Sequence, residues 1–287
     1  MSELLLEPFL SNEFMVRALI AGLLTVVTTS VVGTWVVLRG LGFLGDALAH
    51  GVLPGIAIAF VLGVNPMIGA AFAALVMITT INSIRSHTSL PEDTSIGILF
   101  VGFLALAVVI MSSASGAFVG DLNRFLFGSI TGISDNDLIV QGVAALIALI
   151  GVAVLYRPLL TSTFDENHAA LAGFNPRLTH FLLLALLALA IVASFGTVGN
   201  LLVFGFLVAP PATASLIARQ VPRIMMTSVV IGFVSVIAGL LVSFHYRTAA
   251  SATMALVSVS IFLVVLTADS LSQRIRSLVS QPVSPSV

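Results

Sequence analysis

Residues 178–195 read LTHFLLLALLALAIVASF and contain no carboxylate, lysine or arginine. A helix crosses the hydrocarbon core of a bilayer with about 17–25 mainly apolar residues, and this run has that length. Runs of the same kind lie at 14–38, 47–63, 66–83, 95–113, 138–156, 198–218, 224–244 and 250–267. Nine crossings are predicted. Eight is the alternative, because 47–63 is short and holds Pro54. The stretch 117–132 is apolar but interrupted by Asp121, Asn123 and Arg124, and reads as a re-entrant or interfacial piece. The expected fold is an all-α polytopic transmembrane bundle.

Composition agrees. Of 287 residues, 59% are hydrophobic and 8% charged, against about 25% charged in soluble domains. That excludes a soluble globular protein, a disordered chain, a coiled coil and a nucleic-acid binder. Apolar residues run in blocks, which argues against a transmembrane β-barrel. Cysteine is absent, so thiolate chemistry and thiolate metal sites are excluded. Lysine is also absent: all eleven basic residues are arginine. A Walker A loop needs lysine, so any ATP hydrolysis belongs to another polypeptide.

Glu3, Glu7 and Glu13 precede the first arginine, Arg17, which is the wrong order for a secretory signal. An outside N-terminus and a cytoplasmic C-terminus place Arg39, Arg85, Arg157, Arg177, Arg219, Arg223, Arg274 and Arg276 on the cytoplasmic side. Arg17, Arg124 and Arg247 fall outside, which is the bias of the positive-inside rule. Trp35, Tyr156 and Tyr246 fall near predicted helix ends, as interfacial anchors do. One transmembrane domain is expected over 1–276, followed by a disordered Ser/Pro-rich tail at 277–287.

Ionisable groups inside spans are functional candidates by default. Asp46 and His50, in GDALAHG at 45–51, are four apart and share a helix face. A carboxylate and an imidazole one turn apart suit a divalent transition metal such as zinc, manganese or ferrous iron. Two ligands make half a site, and two protomers about a two-fold axis would supply two Asp and two His. The alternative is that Asp46 caps its helix and His50 bonds a backbone carbonyl.

Thr163 followed by Glu166 reads as a capping box, and Gly173 as a C-cap. Asp165 and Glu166 suit a helix N-terminus. A short helix over 164–172 is expected in the longest cytoplasmic loop. Its exposed Phe164 and Leu171, on a helix that also holds Ala170, suggest a docking element; the alternative is an interfacial helix lying on the bilayer. Pro210-Pro211 interrupts the late apolar run. The carbonyls it frees need partners, so this break should face protein or a cavity. It reads as a hinge or gate, or as a packing kink. His180 and His87 are expected to be solvated, and His245 lies at the outer edge as a possible entry residue.

Enzyme classes do poorly. The chain has no HExxH motif, and GFLGD at 42–46 has the wrong spacing for a GxGD protease.

Five segments in order carry a family resemblance: DALAHGVLPG at 46–55, EDTSIGI at 92–98, DLNRFLFGSI at 121–130, Phe164-Asp165 through Gly173, and VGNLLV at 198–203 through PPATA at 210–214. They resemble the permease subunits of metal-type ABC importers, the manganese/zinc/iron family. The resemblance covers about 13–267. It implies a homodimeric permease, a separate pair of cytoplasmic ATPase subunits docking on the 164–172 helix, and an extracellular metal-binding protein delivering the ion. Asp46 and His50 match positions that line or gate the metal path. The metal is cargo, with no permanently bound cofactor, and the site of action is the bacterial plasma membrane. One departure stands out. Many members carry Ser-Tyr-x-x-Asp-x-Pro-Ser-Gly where this chain has SFHYRTAAS at 243–251, so Arg247 replaces an acid. A permease for a chelated metal and a non-transporting membrane scaffold or receptor remain as other readings.

Overall fold

The computed structural model describes residues 12–113 and 132–279. The expected re-entrant piece at 117–132 and its DLNRFLFGSI segment lie outside them, apart from residue 132. Among the described residues eleven helices follow in order: α1 Glu13–Leu38, α2 Gly42–Gly51, α3 Leu53–Val61, α4 Pro66–His87, α5 Glu92–Ser113, α6 Asp135–Phe164, α7 Glu166–Leu171, α8 Pro176–Val198, α9 Asn200–Ile217, α10 Val221–Tyr246 and α11 Ala250–Val279. The last helix thus reaches three residues into the expected tail, and 280–287 lie outside the described residues.

Among the described residues eight segments are long and apolar enough to span a bilayer, with α2 and α3 together counted as one. The ninth expected crossing is α9, whose Leu202–Ile217 part is apolar but shorter. Expectation and structure differ most at 47–63. The helix there begins earlier, at Gly42, and breaks at Val52. Pro54 sits in the first turn of α3. It has no N–H for the His50 carbonyl, so the break falls where proline puts it.

α1 is the central post, packed against α6, α8, α9 and α10. α5 and α11 are the least buried spans and form the periphery. First-span hydroxyls such as those of Thr28 and Thr29 bond back to their own helix, while Ser30 Oγ is buried without a hydrogen-bond partner. Thr28 and Thr29 donate to the carbonyls of Leu24 and Thr25 at 2.8 Å, and the amide of Gln141 on α6 donates to Thr25 at 3.3 Å. Trp35 corrects the reading of it as an interfacial anchor. It is fully buried and packs edge-on against Tyr156, with ring centroids 5.7 Å apart. Its place near the helix end is also where α1 and α6 touch. Tyr246 is exposed, as an anchor should be.

Small residues set the close crossings, as lipid gives no hydrophobic drive between helices. Gly55 and Ala59 on α3 face Gly69 and Ala73 on α4. A Cβ on Gly55 would lie 2.0 Å from the Gly69 carbonyl oxygen. A side chain at Gly69 must therefore push the two helices apart. Gly69→Leu is expected to lower stability by about 1–3 kcal/mol or more, read as a lower melting midpoint of the purified protein in detergent. An unchanged midpoint would mean that the crossing is not tight.

Candidate functional site

α2 carries Asp46 and His50. Its N-cap is Leu41, so Asp46 lies inside the helix and does not cap it. His50 Nε2 lies 3.6 Å from Asp46 Oδ1, and His50 Nδ1 is buried with no hydrogen-bond partner. That is ion-pair distance, too long for a hydrogen bond, and no backbone carbonyl holds the ring. Two ligand atoms each about 2.1 Å from one ion lie about 3–3.5 Å apart, so the spacing suits a shared cation with little adjustment. Phe100 on α5 fixes the ring from one side: its edge-on contacts with His50 and Phe43 have centroid distances of 5.7 and 5.8 Å. The sequence reading missed Phe100. Its only signal was its place two residues after the EDTSIGI segment.

His50 lies about 12 Å along the helix from Gly42 at 1.5 Å per residue, well inside the apolar layer. Yet the Asp46 and His50 side chains are 33% and 29% exposed. A charge facing lipid at that depth is costly. Among the described residues no three His, Asp or Glu side chains cluster to hold a metal. The pair offers two potential ligand groups, both partly open at the surface of the single chain.

The other face of α2 is held by α9. A Cβ on Gly45 would meet Leu207 Cδ2 at 2.3 Å. Pro210 and Pro211 are buried, and α9 runs through them without ending. Pro211 cannot donate to the Leu207 carbonyl. That oxygen lies directly over Gly33 of α1, where a Cβ would come within 2.1 Å of it. The break therefore faces protein, as expected, and glycine is what lets α1 cover it.

The loop helix α7 is shorter than the expected 164–172, at Glu166–Leu171. Its cap is Asp165, whose Oδ1 accepts from the N–H groups of Asn167 at 2.8 Å and His168 at 3.0 Å. Thr163 is not the cap. It belongs to α6 and donates to the Leu159 carbonyl at 2.6 Å. The longer α6 absorbed the residue that pattern alone put at the boundary. Gly173, with φ +86°, ends the helix in a Schellman turn: Phe174 N–H donates to Ala169 and Gly173 N–H to Ala170. Ala169 is buried, while Phe164 and Leu171 are 74% and 88% exposed. Ala170 is exposed beside them.

Beneath α7 lies a polar cluster that the sequence did not group. Arg39 Nε donates to Thr163 Oγ1 at 3.0 Å, and Arg85 pairs with Glu166. His180 is 1% exposed and its Nε2 lies 3.0 Å from Glu92 Oε1, out of line for a hydrogen bond. This corrects the solvated reading of His180: its turn of α8 faces the bundle. His87 is exposed, as expected. Burial pulls the Arg39 guanidinium below its ordinary pKa; Glu166 opposes this, Arg85 adds to it, and Glu92 opposes it. The contacts bring the ends of α1, α4 and α6 together with the starts of α5, α7 and α8, on one face of the bundle. At the start of α1, Arg17 pairs with Glu13 at 2.8 Å and Asp135 at 3.3 Å, tying α1 to the start of α6.

His245 is exposed at the end of α10, with Nδ1 2.8 Å from the Leu241 carbonyl. Nothing brings it to Asp46. Arg247, in the same turn, has a left-handed backbone with φ 53°, a conformation that asparagine or glycine adopts more readily.

The chain matches the ABC 3 transport family over residues 11–269. It is 36% identical over 256 residues to the manganese transport system membrane protein MntC of Halalkalibacterium halodurans, covering 89% of this chain and 87% of that one. It is 34% identical over 252 residues to the manganese import system permease protein ScaB of Streptococcus gordonii, covering 88% and 90%. Among solved structures, PsaBC from Streptococcus pneumoniae in complex with Fab superposes with a TM-score of 0.81 at 30% identity, covering 92% of this chain and 95% of that one. Family, apolar spans and fold agree: this multi-pass protein of the bacterial plasma membrane belongs to the ABC 3 transport family of permeases.

Proposed function

We propose that the chain is the membrane-spanning subunit of an ATP-driven importer for a divalent transition metal, with manganese the first candidate. The observation that carries this is the Asp46–His50 pair. It is spaced for one cation, sits deep in a span, and is open on a side that lipid cannot cover at low cost. A second copy of the chain, or a water-filled path between two copies, gives that side a polar neighbour. Two copies would complete the shell with two carboxylates and two imidazoles. Carboxylate favours manganese and imidazole suits zinc and iron. The names of several relatives, including MntC and ScaB, favour manganese, and an iron-transport relative at 31% identity keeps iron in view. Zinc stays compatible with the ligand set.

In this reading the N-terminus is outside and the arginine-rich face is cytoplasmic. α7 is the coupling helix: Phe164 and Leu171 dock on a separate ATPase dimer, with Asp165, Glu166, Ala170 and Gly173 setting its shape. ATP binding and hydrolysis there move α7 and alternately open the path at Asp46 and His50. Pro210-Pro211 is the hinge, since the Leu207 carbonyl it frees is held by packing alone. An extracellular metal-binding protein delivers the ion, and His245 stands on the side where it enters. The ion must be held weakly enough to leave.

Asp46→Ala and His50→Ala should each abolish accumulation of one metal while the protein still assembles. The measurement is elemental mass spectrometry of cells starved separately of manganese, iron and zinc. Normal accumulation by either variant would remove the pair from the path, and a loss of no metal on deleting the chain would turn the reading to a chelated cargo. Phe164→Asp or Leu171→Asp should release the ATPase on purification; an ATPase that still copurifies would count against docking at α7.

A further inference from the structure

Two buried polar atoms without hydrogen-bond partners, Arg39 Nη2 and Ser162 Oγ, line one cavity of about 280 Å³ together with the Glu92–His180 ion pair. Orphaned groups of this kind call for water or a ligand. The walls also hold Arg85, Asp165 and Glu166. Two guanidiniums against three carboxylates select neither a cation nor an anion. Two arginines beside Glu92 and His180 disfavour a metal ion there. Water suits such a mixed lining, and at about 30 Å³ per molecule several fit.

We propose that this cavity is a hydrated joint linking α7 to the metal-bearing helix α2, with Arg39 and Arg85 as its positioning residues. The proposal rests on the reading of α7 as the coupling helix. Two fastenings cross the joint. Arg85, at the end of α4, holds Glu166 in the first turn of α7. Arg39, at the end of α1, holds Thr163 at the end of α6. Arg39 is also three residues before α2 begins, so whatever shifts Arg39 shifts the helix that carries Asp46. The Arg85 and Glu166 side chains are 32% and 52% exposed. An ion pair so exposed contributes little to stability, so it is suited to part and re-form. Water in the cavity lets it do so without opening a dry void. α7 buries only Ala169 against the bundle, which leaves the polar fastenings to transmit its motion.

The test uses the complete complex with its ATPase in liposomes, with uptake of manganese(II) and ATP hydrolysis measured together. Arg85→Glu is expected to lower uptake per ATP hydrolysed by about tenfold, with the ATPase still bound. Combining it with Glu166→Arg restores the pair in reverse and should return most of the uptake. Arg85→Gln, which places no charge of the wrong sign, should show a smaller loss at an unchanged melting midpoint. Uptake per ATP at the parental level in Arg85→Glu, or a double variant no better than the single one, would overturn the joint. Failure of the parental chain to hold an ATPase would defeat the coupling-helix reading instead, and is scored separately.

Discussion

The bilayer offers no hydrogen bonds, and this one constraint organises the molecule. The Leu207 carbonyl shows it most plainly. Pro211 removes its donor, and only Gly33, by lacking a side chain, lets α1 come close enough to exclude lipid from it. Leu207 in turn packs its side chain on Gly45, one residue before Asp46. A buried backbone group, a glycine contact and the candidate ligand pair are thus parts of one junction among α1, α2 and α9. Elsewhere hydroxyls return to their own helices for the same reason.

Unpaired polar atoms occur singly along the bundle, as at Ser30, Trp35, Ser228 and Ser258, and polar groups gather in two further places. One is the face of α2 that carries Asp46 and His50, whose side chains are partly exposed. The other is the cavity under α7, where three elements end and three begin. The apolar bundle between them is tight and small-residue-rich, as at Gly55 and Gly69. Along the chain the two places are joined by a short stretch, since Arg39 lies three residues before α2 begins.

The departure at SFHYRTAAS has a structural expression. Arg247 adopts a left-handed conformation at the end of α10, where the turn is closed by Ser243 donating to the Thr248 carbonyl at 2.6 Å. The turn presents His245, Tyr246 and Arg247 as an exposed basic and aromatic edge.

Sequence by itself determined the class, the spans and the two principal segments, because apolar length, missing charge and i,i+4 spacing are local properties. Asp46 with His50, the capped loop helix and the proline break were all legible this way. Boundaries were less so: Thr163 looked like a cap until α6 ran through it, and Pro54 hid a helix that starts at Gly42. Tertiary structure alone decided what depends on which faces meet. It buried Trp35 and His180, set Phe100 against His50, and brought Arg39, Arg85, Glu92 and Glu166 to one cavity. Arg39 and His180, 141 positions apart, share that lining. No local period encodes such a meeting; helix crossings do.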